Sequence, residues 1–236
     1  MAERRLENLV RRFQREPELA KDYEAAINKY ISEGYATEVA HSGEEEDKCF
    51  YLPHHGVYKK TLGPKKLRVV FNSAAPYKGK CLNDALATGP PLLNHLTPVL
   101  MKFREGNIAF TADITAMFSR IRMRKEDARF HRFLWIDKEK DELKTYQMSR
   151  LTIGDCCSPF VAVYATRKAA EDHGKEKEDA VFAIHNKLYM EYYLDSSKTG
   201  EEAIKRAREV DYILKQGDFH LNKWLSNDPT FNAEFQ

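Results

Sequence analysis

The chain opens with hydrophobic residues at helical spacing. Leu6, Leu9, Val10 and Phe13 fall on one face of residues 3–15, which predicts an amphipathic helix. Pro17 starts a second helix, with Leu19, Tyr23, Ile27, Tyr30 and Ile31 on its apolar side and Gly34 as its stop. HSGEEEDK (41–48) reads as a polar loop. From Phe50 the period shortens. FYLPHHGVY and KKLRVVF (65–71) read as extended segments joined near Gly63-Pro64. Adjacent His54 and His55 point opposite ways on a strand, so they read as structural or surface residues rather than metal ligands. Residues 90–104 predict a proline-started helix with Leu92, Leu93, Leu96, Val99, Leu100 and Phe103 inward. A strand over 108–113, a short helical turn and strands over 130–136 and 145–151 follow, with charged DKEKDELK as a hairpin tip. Next come a helix over 159–172, a strand ending at Asp195, a helix over 201–217 and a strand over 219–224. Ala203, Ala207, Val210, Ile213 and Leu214 face inward from the last helix. This order predicts an α+β fold: an antiparallel sheet with helices on one face.

Composition narrows the picture. A chain of 236 residues, 42% hydrophobic and 31% charged, can bury a core and is not disordered by composition. It has no run of eighteen apolar residues, and MAERRLENLVRRF lacks the apolar stretch of a signal peptide. The expectation is an intracellular protein with no membrane partner. Cys49, Cys81, Cys156 and Cys157 form no CxxC pair and read as free thiols, not a zinc site. Net charge is only +2, yet residues 59–80 carry seven Lys/Arg and no acid. Such a block suits a polyanion.

Two apolar strands run into acids. IAFTADITAMF (108–118) contains Asp113, and LYMEYYLDSSKTG (188–200) contains Asp195, followed by a polar stretch that reads as the tip of a hairpin. Asp is also an ordinary turn residue. If the two strands are neighbours, both carboxylates meet at one edge. Hard cations such as Mg²⁺ take carboxylate and phosphate oxygens, and a pair of them can drive phosphoryl transfer. Mn²⁺ is the alternative ion. The basic segment would then hold a triphosphate.

At this point the chain resembles the reverse transcriptase domain of BEL/Pao-type LTR retrotransposons. The motifs are YLPHHGVYK, KLRVVFNSA, CLNDALATGP, FTADITAMFSRIRM, LTIGDCCSPF, YYLDSSKTG and GDFHLNKWLSN, in the family's order over roughly residues 1–228. The resemblance implies a fingers-and-palm polymerase without a thumb. Its segments would be 1–48 (helical), 49–107 (basic fingers), 108–228 (palm) and 229–236 (tail). It implies Asp113, Asp195 and the Ile114 carbonyl as metal ligands, and Lys223 as the cation that protonates pyrophosphate. Arg68 and Lys66, with Lys59 or Lys60 assisting, would contact the triphosphate. Phe118 would screen the sugar 2′ position, and Tyr193 would also lie at the nucleotide. Ile153, Gly154, Ser158 and Pro159 would form the loop against nucleotide and template. Implied partners are dNTPs and an RNA or DNA template with primer. A larger polyprotein with protease, RNase H and integrase, in a cytoplasmic virus-like particle, is the implied setting.

The departures are specific. The family's turn motif is YxDD, and Ser196 takes the second acid's place. Asn72 replaces an acid, Arg120 stands where a glutamine is usual, and Ile153 is apolar. Losing a carboxylate near a metal predicts weak primer extension, at least tenfold faster in Ser196→Asp. The alternative is an impaired or dead remnant that only binds nucleic acid.

Overall fold

The computed structural model describes residues 1–40, 49–59, 65–137 and 142–235. The expected loop at 41–48, the turn at Gly63-Pro64, Lys60 and part of the DKEKDELK tip lie outside them. In chain order the elements begin with α1 (Ala2–Arg15), α2 (Pro17–Ser32), β1 (Ala36–Glu38), β2 (His54–Lys59), β3 (Lys66–Phe71) and α3 (Leu82–Ala85). Then come α4 (Leu96–Phe103), β4 (Ile108–Ile114), α5 (Met117–Arg120), α6 (Lys125–Ala128), β5 (Arg132–Asp137) and β6 (Glu142–Met148). The last are α7 (Ser158–His173), α8 (Glu178–Asn186), β7 (Leu188–Tyr189), β8 (Tyr192–Ser197), α9 (Gly200–Gln216), β9 (Leu221–Ser226) and α10 (Pro229–Phe235). They form two compact units, each assembled from two stretches: 1–88 with 121–158, and 89–120 with 159–236. The consecutive segments expected from sequence do not coincide with these units. The β5–β6 hairpin returns to the N-terminal elements, where β1 pairs with β6.

In the first unit, β2 and β3 form a hairpin and β1-β6-β5 a three-stranded sheet, all antiparallel. Helices α1 and α2 bury Leu6, Leu9, Leu19, Tyr23 and Ile27 against them. The core is aromatic: Tyr23 stacks on Trp135 at 5.4 Å and Phe71 meets Phe133 at 5.1 Å. His54 is structural. Part of the residue's surface meets solvent, but its ring packs among Tyr23, Phe71, Phe133 and Trp135, with a hydrogen bond to Leu134 O at 2.9 Å. Burial lowers its pKa to about 4, so it is neutral.

In the second unit, a four-stranded antiparallel sheet has the order β7-β8-β4-β9. Ala203, Ala207, Val210, Ile213 and Leu214 of α9 are all fully buried, as their spacing predicts. Three elements differ from expectation. Helix α4 begins only at Leu96, and only Val99 of its predicted inward set is deeply buried; Leu93, Leu96 and Leu100 are exposed. Helix α8, which buries Ala180, Ala183 and Ile184, was not expected. Residues 229–235 are a helix rather than a tail, anchored by fully buried Phe231 on Phe110 at 4.9 Å.

Candidate functional site

Strand β4 carries Asp113, and strand β8 pairs with it along its length, as the two-acid reading requires. The register then separates the acids. Asp113 lies opposite Tyr192, whereas Asp195 lies opposite Phe110. Opposed residues share a face, and faces alternate residue by residue. Phe110 and Asp113 are three positions apart, so Asp113 and Asp195 project from opposite faces. Along the strand they are offset by about 10 Å. They do not meet at one edge.

The physical cause is the position of the chain reversal. Leu188 pairs with Tyr193 and Tyr189 with Tyr192, so the hairpin turns at Met190-Glu191 rather than at Asp195-Ser196. A two-residue hairpin needs a positive φ at its first central residue, and Met190 has φ 52°. The polar DSSKTG stretch ends β8 and caps α9 instead, with Thr199 Oγ1 accepting from Glu202 N at 3.3 Å.

Asp195 is therefore a buried structural acid, not a metal ligand at a tip. It has no exposed surface. Lys187 pairs with one oxygen. Arg206 binds both, at 2.7 and 3.1 Å, and Tyr193 donates its hydroxyl at 2.6 Å. The Ser196 amide is the fourth partner, donating at 2.6 Å. Burial opposes the Arg206 charge, but Asp195 outweighs it and holds that guanidinium above its ordinary pKa. Burial also pushes the Tyr193 hydroxyl well up. Tyr193 is itself fully buried against Phe110 and Trp224, so it has no face for a nucleotide. Ser196 is buried too. It lies opposite Ala109, about 13 Å along the strand from Asp113's position. Its hydroxyl donates to Lys102 O and accepts from Gly106 N, both at 3.0 Å. A Cβ on Gly106 would sit 2.4 Å from Ser197 O, so this turn closes only on glycine.

Around Asp113 the surroundings differ. One oxygen pairs with Lys223; the other, Oδ1, is buried and has no hydrogen-bond partner among the described residues. Ile114 N donates to Glu191 O at 2.7 Å, which fastens the hairpin tip to the end of β4. Strand β9 has a bulge here: Thr111 pairs with Leu225 but Asp113 with Asn222, leaving Lys223 and Trp224 against one residue of β4. Lys223 has φ 57° and Ala116, just past Asp113, has φ 52°. Non-glycine residues in this region carry strain, which concentrates at functional sites. Phe118 sits half-buried on α5 in the same unit. The carboxylate that fits a cation is Asp113, by its orphaned oxygen; Asp195, with every oxygen engaged, does not fit one. Sequence reasoning missed Glu191 and Tyr192, although Tyr189-Met190-Glu191-Tyr192 carries the same Tyr-x-acid spacing.

The first unit holds the other expected contacts. Lys66 and Arg68 are exposed on one face of β3 while Leu67, Val69 and Phe71 point inward. The turn before α7 presents Ile153, which is exposed, and Gly154 at φ 132°. A Cβ on Gly154 would lie 2.0 Å from Phe71 O. Ser158 anchors this turn, donating to Thr152 O at 2.6 Å, and Pro159 is exposed at the second position of α7. Buried Asp155 is its hub: Ser73 donates to it, Thr152 donates at 2.8 Å, and His131 Nε2 lies at 2.9 Å. Burial alone would raise this carboxyl, but the bond from His131, with those from Ser73 and Thr152, holds it below the ordinary range.

No family model and no curated protein matches the chain. Solved structures do. A foamy viral protease-reverse transcriptase in complex with double-stranded DNA is similar at TM-score 0.66 and 15% identity, over 86% of this chain and 30% of that one. A prototype foamy virus protease-reverse transcriptase mutant gives 0.64 and 16%, over 87% and 23%. The foamy viral enzyme in complex with RNA/DNA hybrid gives 0.60 and 15%, over 83% and 22%. The chain spans less than a third of the length of each. Its fold, antiparallel sheets with packed helices, is reverse-transcriptase-like.

Proposed function

We propose that this chain is the fingers-and-palm part of a BEL/Pao-type reverse transcriptase that binds primer-template nucleic acid and is impaired in nucleotidyl transfer. The observation that carries this reading is the hairpin tip. The family's turn motif, placed where the chain reverses, falls on Tyr189-Met190-Glu191-Tyr192. Glu191 then stands in the first acid's place and Tyr192, with no carboxylate, in the second's. Exposed Lys66 and Arg68 supply phosphate contacts, and the Arg fork suits a triphosphate. The turn at Ile153-Gly154 supplies the surface against a base. Of the family's ion ligands, Asp113, the Ile114 carbonyl and Glu191 would hold Mg²⁺ or Mn²⁺, which would supply charge stabilisation for phosphoryl transfer. Asp195 holds β8 to α9 instead.

A working polymerase is the second reading, favoured by the orphaned Asp113 oxygen and the strain at Met190 and Lys223. One experiment separates the two. Fluorescence anisotropy with a labelled primer-template, followed by primer extension in Mg²⁺ or Mn²⁺, should show salt-sensitive binding with little extension. Extension that is unaffected by Asp113→Ala would sink the site, and no binding at low salt would sink the function.

A further inference from the structure

We propose that the Lys223 ammonium is the resident counter-cation of Asp113, and that a divalent ion gains this carboxylate only by displacing it. The inference rests on the reading of Asp113 as an ion ligand and adds a regulator to that site.

Three features define the pair. The first is the bulge. It sets Lys223 and Trp224 together against one residue of β4, next to Asp113. There Trp224 packs against Tyr193, Phe231 and Phe235, and Lys223 pairs with Asp113. The second is the backbone. Lys223 holds φ 57°, a conformation a lysine adopts only when its surroundings impose it. Asn222 fixes the preceding position, donating to Thr115 Oγ1 at 2.8 Å, and His220 O accepts from Thr115 N at 2.9 Å. The third is the asymmetry of the pair. The Asp113 side chain is only 18% exposed and the Lys223 side chain 75%. The carboxylate is fixed and the ammonium is free to swing into water. An exposed ammonium is a weak partner, easily exchanged. An ion arriving at Oδ1 would meet a positive charge already on Oδ2, and like charges a few ångströms apart repel. Lysine and divalent ion are thus competitors for one carboxylate.

The test is Mn²⁺ binding by electron paramagnetic resonance on the full chain, with no nucleotide and no turnover. Lys223→Met should bind Mn²⁺ about tenfold more tightly than wild type, equivalent to about 1.4 kcal/mol. Lys223→Gly, which also relieves the left-handed backbone, should match it and melt no lower. Lys223→Arg, which keeps the charge, should stay weak. Asp113→Asn should abolish the gain in a double variant with Lys223→Met. Equal Mn²⁺ affinity in wild type and Lys223→Met would overturn the proposal, as would a gain that survives Asp113→Asn. Primer-template anisotropy on the same samples keeps the two ideas apart. Binding of nucleic acid with no Mn²⁺ gain rejects the lysine's role alone. A Mn²⁺ gain without nucleic-acid binding rejects the function alone and supports the counter-cation.

Discussion

Asp113 and Asp195 sit on paired strands of one sheet, both preceded by apolar residues, yet they have opposite fates. Asp195 faces the side lined by Phe110 and Tyr193, where no oxygen meets water and two cations, a hydroxyl and an amide converge on it. Asp113 faces the other side beside the hairpin tip, with an exposed lysine on one oxygen and, among the described residues, no hydrogen bond to the other. The difference comes from an offset of three residues in register. In a strand an odd offset changes the face, and the face decides whether a carboxylate is cement or a ligand. Strand position and an acid are not enough to define a catalytic carboxylate. The turn has to be located first.

Stability measurements offer the sharpest ways to break the comparison. Asp195→Ala leaves buried Lys187 and half-buried Arg206 without their carboxylate. It should cost about 3–5 kcal/mol in urea unfolding. A loss below 1 kcal/mol would return Asp195 to the list of functional acids. Asp155 is the first unit's counterpart, anchored by a histidine and hydroxyls. Asp155→Asn should cost about 1–3 kcal/mol at neutral pH. Its carboxyl is held below the ordinary range, so the unfolded chain takes up the proton first as pH falls. The stabilisation is whole above the unfolded value, near 4, and is lost as pH drops through the folded one. The acid limb of stability against pH should therefore be shallower in Asp155→Asn. Tyr193→Phe removes one neutral donor to Asp195 and should cost about 1 kcal/mol. Asp113→Asn should change unfolding by no more than about 1 kcal/mol, the scale of an exposed pair.

Where one periodicity dominated, the chain was legible. Helix α9 shows all five predicted inward residues buried, and β3 shows its basic and apolar faces. The reverse-transcriptase-like fold was legible from the order of motifs. The hairpin was not. LYMEYYL is apolar or aromatic almost throughout, and its turn, Met190-Glu191, contains none of the usual turn residues. DSSKTG beside it is rich in Asp, Ser and Thr, but those residues serve helix caps as well as turns. Here they cap α9. The bulge beside Asp113 left no mark in the sequence, because it depends on how β9 registers against β4.

Primer extension with two sets of variants tests the central claim most directly. Glu191→Asp/Tyr192→Asp restores both acids of the turn motif at the true hairpin tip. Ser196→Asp restores the motif only as read at Asp195, and buries a carboxylate beneath the Gly106 turn. The structural account predicts at least a tenfold rise in extension rate, about 1.4 kcal/mol of barrier, for the tip variant. It predicts no rise and a lower melting temperature for Ser196→Asp, contrary to the expectation from sequence. A rate gain in Ser196→Asp with none in the tip variant would contradict it.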